Sequence, residues 1–332
     1  MRIVYSYGIA SFSSFNDPER RKCLNRVFAI KGRYASLRLS GQRTYLKGDP
    51  MKVEEIMDIE PVTIELPANK MEVLRLMGVK DVGAIYVVGR EMELKGIVTR
   101  RDILKDSESD QAALMMKRDP VFAEVGDDLS VAARLIYESR IHNLPIKTSA
   151  KEGKLIGACR TMNFLRTIEE GKYKDTIESV MSLFCAPVYQ ETPLSVIRNI
   201  MEVSNGSALC VLDDNGRIVG IISEADLFRY CKIDESISRI EMGLGEDEDK
   251  WTWEGMRDIV GLYYVNSKLI LPKIPVKEAM VKKVVSVSPK SRVSLAARKM
   301  RVNGLAQLPV VGANGALRGM VYDIDLLNVL MD

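Results

Sequence analysis

The sequence predicts a mixed α/β (α+β) fold built from four tandem repeats, each a small sheet with flanking helices. Three observations lead there. A frame of glycine and two apolar residues, then a polar residue and, three positions on, an acid or its amide recurs as GIVTRRD (96–102), GACRTMN (157–163), GIISEAD (220–226) and GMVYDID (319–325). Each frame follows a short apolar strand and a turn: AIYVVGREMEL, LPIKTSAKEGKL, ALCVLDDNGRI and LPVVGANGAL. Upstream of each lies a segment whose apolar residues recur at helical spacing.

The elements follow in order within each repeat. A Met-containing helical turn leads into a short extended stretch: PVTIEL at 61, PVFAEV at 120, PVYQET at 187 and VVSVSP at 284. An amphipathic helix comes next. Its apolar positions are Val73, Leu74 and Met77 in the first repeat, and Leu129, Ala132, Leu135 and Ile136 in the second. The third offers Val196, Ile197, Ile200 and Met201, and the fourth Leu295, Ala296 and Met300, with Lys299 interrupting the face. The strand–turn–strand frame follows, and a second helix opens at Ile103-Leu104, Phe164-Leu165, Leu227-Phe228 or Leu326-Leu327. The expected division is a basic N-terminal region over 1–50, repeats over 51–110, 111–172, 173–232 and 274–332, and an insertion over 233–273.

Composition narrows the function. With 332 residues, 46% hydrophobic and 28% charged, the chain has material for a buried core. No apolar run approaches the roughly 20 residues that cross a bilayer, so no membrane association is expected. The start, MRIVYSYGIASFSSFNDPERRKC, lacks a sustained apolar stretch and predicts no signal peptide. Five scattered cysteines without CxxC spacing argue against a disulfide framework or a zinc knuckle and fit a reduced, cytoplasmic setting. A single histidine, His142, excludes a multi-histidine metal site. His142 itself reads better as a hydrogen-bonded loop residue than as a pH switch. No nucleophile–base pair, metal cluster or P-loop is visible, so neither a catalytic cofactor nor an enzymatic activity is expected.

The repeat resembles the CBS domain, named after cystathionine β-synthase, over 51–232 and 274–332. A single repeat cannot bury both faces of its small sheet, so repeats pair. The resemblance implies two Bateman modules in a disk-like arrangement, similar to the γ subunit of AMP-activated protein kinase. It also implies a regulatory adenine nucleotide (AMP, ADP or ATP) in clefts between paired repeats, with S-adenosylmethionine as another adenosyl ligand. The acid of each frame would hold the ribose hydroxyls, since a carboxylate accepts two hydrogen bonds. The Ser or Thr three positions earlier would donate to phosphate.

On that basis the first repeat carries Thr99 and Asp102, with Arg100 and Arg101 for phosphate charge, and the third carries Ser223 and Asp226 beside Glu224. The fourth keeps Asp325 behind Tyr322, and the second has Arg160 and Asn163 instead. Base-contacting segments would include Thr63, Ile64, Ala84 and Ile85 in the first repeat, Tyr189, Ser207 and Ala208 in the third, and Val287, Leu308 and Pro309 in the fourth. An aspartate after a hairpin also serves as an N-cap; the full frame favours binding at Asp102 and Asp226, and capping at Asn163.

Two segments fall outside the repeats. Residues 1–50 hold ten Lys or Arg against three acids, interleaved with aromatics. They read as a small β-rich cap, with a nucleic-acid or acidic partner as the alternative. In 233–273 the acidic run Glu246–Asp249 is expected as solvated loop, and WTWEGMRDIVGLYYV as a helix or strand packing by Trp251, Trp253 and Tyr263. A protein partner or a homodimer through the modules is the expected recipient of the signal.

Overall fold

The computed structural model describes residues 51–105, 109–148, 153–183, 185–241 and 261–331, with backbone alone for 233–241 and 261–269. The basic region 1–50, the acidic run 246–249, Trp251 and Trp253 lie outside the described residues.

The first repeat opens with a 3-10 turn at Val53–Glu55. It continues through β1 (Thr63–Glu65), α1 (Lys70–Lys80), β2 (Ala84–Val88), β3 (Leu94–Thr99) and α2 (Arg100–Lys105). The second has a turn of helix at Ala112–Met115, then β4 (Lys117–Arg118), β5 (Ala123–Glu124), α3 (Leu129–Ser139), β6 (Asn143–Lys147), β7 (Leu155–Arg160) and α4 (Thr161–Glu170). The third has its turn at Ile177–Val180, then β8 (Val188–Tyr189), α5 (Leu194–Ser204), β9 (Ala208–Leu212), β10 (Ile218–Ser223) and α6 (Glu224–Tyr230). After the ribbon β11 (Lys232–Glu241) and β12 (Gly261–Ile270), the fourth repeat runs from a turn at Val276–Ala279 through α7 (Val293–Asn303), β13 (Gln307–Val311) and β14 (Leu317–Tyr322) to a 3-10 helix at Asp325–Leu330.

In the first three repeats the leading strand pairs parallel to the first hairpin strand, which pairs antiparallel to the second. In the fourth, Val287 bridges in parallel to Val310 of the antiparallel β13–β14 hairpin. Each long helix ends on a left-handed residue: Asp81, Arg140, Asn205 or Gly304. That conformation lets the chain turn from the helix into the sheet.

The frame glycine has a steric cause. The opening turn of each repeat crosses the last strand of its partner and bonds to it. Asp58 bridges Ala158, β4 pairs with Gly96 and Ile97, Ser182 bridges Met320, and Ile221 bridges Val281. At every crossing the frame glycine lies beneath the incoming chain. A Cβ on Gly157 would meet the Met57 sulfur at 2.6 Å, and one on Gly319 would meet the Ser182 carbonyl oxygen at 2.3 Å. Repeats 1 and 2 form one module by this exchange, and repeats 3 and 4 the other. The sheets of repeats 1 and 2 also share an apolar cluster of Ala84, Tyr86, Val88, Leu94, Ile97, Leu155 and Ala158.

The modules join through helices, and the two junctions differ. Repeats 2 and 4 share one continuous core, in which Ala132, Ala133, Ile136, Phe164, Leu165 and Ile168 pack with Ala296, Ala297, Met300, Leu326 and Leu327. Repeats 1 and 3 keep separate cores, with Phe228 and Cys231 of repeat 3 reaching that of repeat 1.

Two expectations from apolar spacing are corrected. Val196 and Leu295 are 42% and 43% exposed. The buried face starts at the first helical residue, through Leu194, Ile197 and Met201 in α5 and Val293, Ala296, Ala297 and Met300 in α7. In the insertion, residues 261–270 form a strand, in register with β11 from Lys232↔Ile270 to Glu241↔Gly261.

Candidate functional site

Within each repeat one backbone bond ties the loop before the hairpin to the start of the second helix. The amides of Arg100, Thr161, Glu224 and Asp323 donate to the carbonyls of Gly83, His142, Ser207 and Ala306. Hairpin register then places Ala84 opposite Thr99 and Ala208 opposite Ser223. Thr63 lies one strand further, opposite Tyr86, with Ile64 opposite Val87. Ala84 and Thr99 thus face each other at one end of a four-stranded sheet, while Thr63 and Ile64 lie level with positions two and three residues further along β2. Tyr189 pairs with Leu212, three residues beyond Leu209, and its hydroxyl donates to exposed Asp214, away from that end. Ile85, Ala208, Val287 and Leu308 are buried in the core, so their side chains serve packing. Pro309 pairs opposite Met320, and its carbonyl accepts from Val287.

The frame acids cap the second helices. Oδ2 of Asp102 accepts from the Thr99 amide at 2.8 Å and the Thr99 hydroxyl at 2.6 Å. Oδ2 of Asp226 accepts from the Ser223 amide at 2.9 Å and its hydroxyl at 2.6 Å. Asn163 does the same for the Arg160 amide at 2.7 Å, and its side-chain amide donates to the Ile56 carbonyl. Each acid stands at the third helical position and closes a capping box with its N-cap residue, which satisfies amides left unpaired at the helix start. Capping occupies one carboxylate oxygen. The other oxygen of Asp226 meets Arg229 at 3.2 Å, from a side chain 65% exposed. That of Asp102 carries no partner among the described residues.

Asp325 is held differently. One oxygen accepts from the Tyr322 amide, and the other faces the Arg140 guanidinium of repeat 2 at 2.8 Å. Burial raises its pKa above the usual aspartate value, and Arg140 offsets only part of that. Burial, with the charge of Asp325, pushes the Tyr322 phenol up to about 12.

Residues at the starts of the four second helices meet across the modules. Arg101 of repeat 1 donates to Glu224 of repeat 3 at 2.6 Å and to Asn205 at 2.7 Å. Thr161 of repeat 2 donates to Asp323 of repeat 4, a carboxylate 1% exposed, whose other oxygen lies 3.3 Å from His142 Nδ1. Arg101 and Glu224 are near enough to act on the charge of His142 as well. Burial disfavours the imidazolium, but the hydrogen bond to Asp323 and its charge outweigh that, and the His142 pKa stands above the ordinary value. Arg100 turns away to Asp81 at 3.2 Å and lies over the Phe228 ring, and burial lowers its pKa.

The result is a polar centre to which all four repeats contribute. Asn205, Arg140, Thr161 and Asp323 were not singled out from sequence. The detectable signal was positional for part of the set, since Thr161, Glu224 and Asp323 are equivalent, as are Arg140 and Asn205, whereas repeat 1 contributes Arg101, one residue beyond the equivalent Arg100. Fixed donors and acceptors of both signs at a junction of four units suit a polar ligand with hydroxyls and negative charge. No helix of the described residues is long and apolar enough to cross a membrane.

Comparison with known proteins returns a match to the CBS domain model at residues 53–109, 112–170, 177–233 and 276–332. The chain is similar to protein MJ1225 of Methanocaldococcus jannaschii, 26% identical over 216 residues covering 60% of this chain and 76% of that protein. The MJ1225 crystal structure, described as that of a proposed archaeal homologue of γ-AMPK, superposes with a TM-score of 0.66 at 17% identity, over 84% of this chain and 99% of that one. A conserved protein from Pyrococcus horikoshii superposes at 0.57 with 28% identity, over 84% and 100%. L-aspartate semialdehyde sulfurtransferase of M. jannaschii is 26% identical over 115 residues, 35% of this chain and 22% of that enzyme.

Proposed function

Because the chain belongs to the CBS domain family, with four repeats in two Bateman modules, we propose that it is a non-catalytic regulatory protein. It binds an adenine nucleotide in clefts between paired repeats and passes the state of occupancy to a protein partner. Support comes chiefly from one arrangement. The frames of repeats 1 and 3 each hold a carboxylate that caps its helix through one oxygen, next to a hydroxyl residue, and they face each other through Arg101 and Glu224. A carboxylate so fixed accepts ribose hydroxyls without reorganisation, and Arg101 supplies positive charge for phosphate. The description of MJ1225 as a γ-AMPK homologue points the same way.

Occupancy alters the molecule to the extent that the ligand prefers one arrangement of the modules over another. The separate cores of repeats 1 and 3 make that junction the one free to change. The test is a thermal-shift screen of the full chain with AMP, ADP, ATP, S-adenosylmethionine and NADH. A ligand selective for the folded state raises the melting temperature. A shift with an adenine nucleotide that is lost in the Asp102→Ala, Asp226→Ala double variant is the expected result; no shift with any of the five defeats the proposal.

A further inference from the structure

The two helix junctions are equivalent by repeat but differ in the residues where the long helices meet, the fourth being Ala132 and Ala296 against Val73 and Ile197. Five residues into the long helix stand Ala133 in repeat 2 and Ala297 in repeat 4, both fully buried. There the small side chains let the helices close into a shared core. The same position is Leu74 in repeat 1 and Arg198 in repeat 3. An arginine is too long and too polar to be packed as those alanines are, and the junction between repeats 1 and 3 contains a cleft of about 90 Å³.

One wall of the cleft is α2, through Leu104 and Lys105, and the other is α5 and α6, through Arg198, Met201 and Leu227. Leu104, Met201 and Leu227 are buried and apolar. Arg101 at the edge is already held by Glu224 and Asn205. Arg198 and Lys105 make no ion pair or hydrogen bond among the described residues, and Arg198 Nε is shut off from solvent without an acceptor. A buried donor left that way is destabilising until an acceptor reaches it. Glu202, one turn along α5, also lines the cleft but is exposed and does not pair with Arg198.

We propose that this cleft is a second binding site, for a small organic anion. Its acidic group is taken by Arg198 and Lys105, and its apolar part lies against Leu104, Met201 and Leu227. The site is built on helix faces and borders the polar centre at Arg101, Asn205 and Glu224, which also line it, whereas Asp102 and Asp226 lie outside its lining. Each wall comes from a different module, so an occupant contacts both.

The probe is benzenesulfonate, one apolar ring with one sulfonate, titrated calorimetrically into the full chain. The expected result is saturable binding at one site per chain. Arg198→Met, which keeps the length of the side chain, and Lys105→Gln, at an exposed position, each weaken it at least fivefold, while the Asp102→Ala, Asp226→Ala variant leaves it unchanged. Circular dichroism confirms that each variant is folded, and the Lys105→Gln arm stands should Arg198→Met fail to fold. Absence of saturable binding, indifference to both cation substitutions, or loss in the aspartate double variant overturns the proposal.

Discussion

His142 Nδ1 lies 3.3 Å from the buried carboxylate of Asp323, and the two residues belong to different modules. The same carboxylate accepts from Thr161 and from the amide of Ile324, so it is fixed before the imidazole meets it. Between repeats 2 and 4 an apolar core is edged by the ion pairs Arg140–Asp325 and Arg301–Glu169, and His142 is the group there whose charge changes near neutral pH.

The pair links protonation to stability. The imidazole pKa is raised in the folded chain over the unfolded value of about 6.5. Its stabilising contribution is therefore complete below about pH 6.5 and is lost as pH rises through the higher folded value. As His142 is the only histidine in the chain, its C2 proton gives one isolated NMR titration. A midpoint above 6.5 that falls in Asp323→Asn is expected, and Thr161→Val should shift it less.

Capping and ligand binding are separable at Asp226. An asparagine oxygen can accept the N-cap amide in place of the carboxylate, as Asn163 does in repeat 2. Asp226→Asn should keep the melting temperature within about 0.5 kcal/mol of stability yet lower nucleotide affinity about tenfold through loss of a charge-assisted hydrogen bond. Asp226→Ala should lose both, with about 1 kcal/mol of stability gone. Urea unfolding and calorimetric titration read the two effects independently.

The packed junction should not tolerate bulk. Ala133→Leu adds volume where Ala133 is fully buried between helices, at a cost of about 1–3 kcal/mol from overpacking. Leu74, at the equivalent position in repeat 1, is only partly buried against its core, and Leu74→Ala should cost less than the 2–5 kcal/mol of a fully buried leucine. Denaturant midpoints give the comparison.

The frame glycines rank by what lies above them. A methyl at Gly319 meets the Ser182 backbone carbonyl, whereas one at Gly220 meets the Met280 side chain. A thioether can rotate aside and a backbone cannot. Gly319→Ala should therefore lower the melting temperature clearly more than Gly220→Ala, by differential scanning calorimetry.

Much of the repeat was legible because its signals are local. Period-two strands, apolar spacing and the frame are properties of a dozen consecutive residues. Arg140 facing Asp325 and Arg101 facing Glu224 were not legible, because each partner is set by how two modules dock. Val196 and Leu295 misled because spacing gives the width of an apolar stripe more readily than its centre, and Leu194 and Val293 shift that centre. The β11–β12 ribbon was half legible: LYYV carries strand propensity, but its partner strand KIDESISRIE is interrupted by charges.

The exchanged opening turns carry a further consequence. Each repeat lends its first residues to its neighbour and receives the neighbour's in return, as with Asp58 on Ala158 and β4 on Gly96. The heritable unit is accordingly the couple, and gain or loss of a single repeat would leave one strand unclasped and one clasp idle. Two polypeptides divided between α4 and the third repeat would each carry a closed exchange and could rejoin through helices. A division inside either couple would leave halves that must find each other before either is complete.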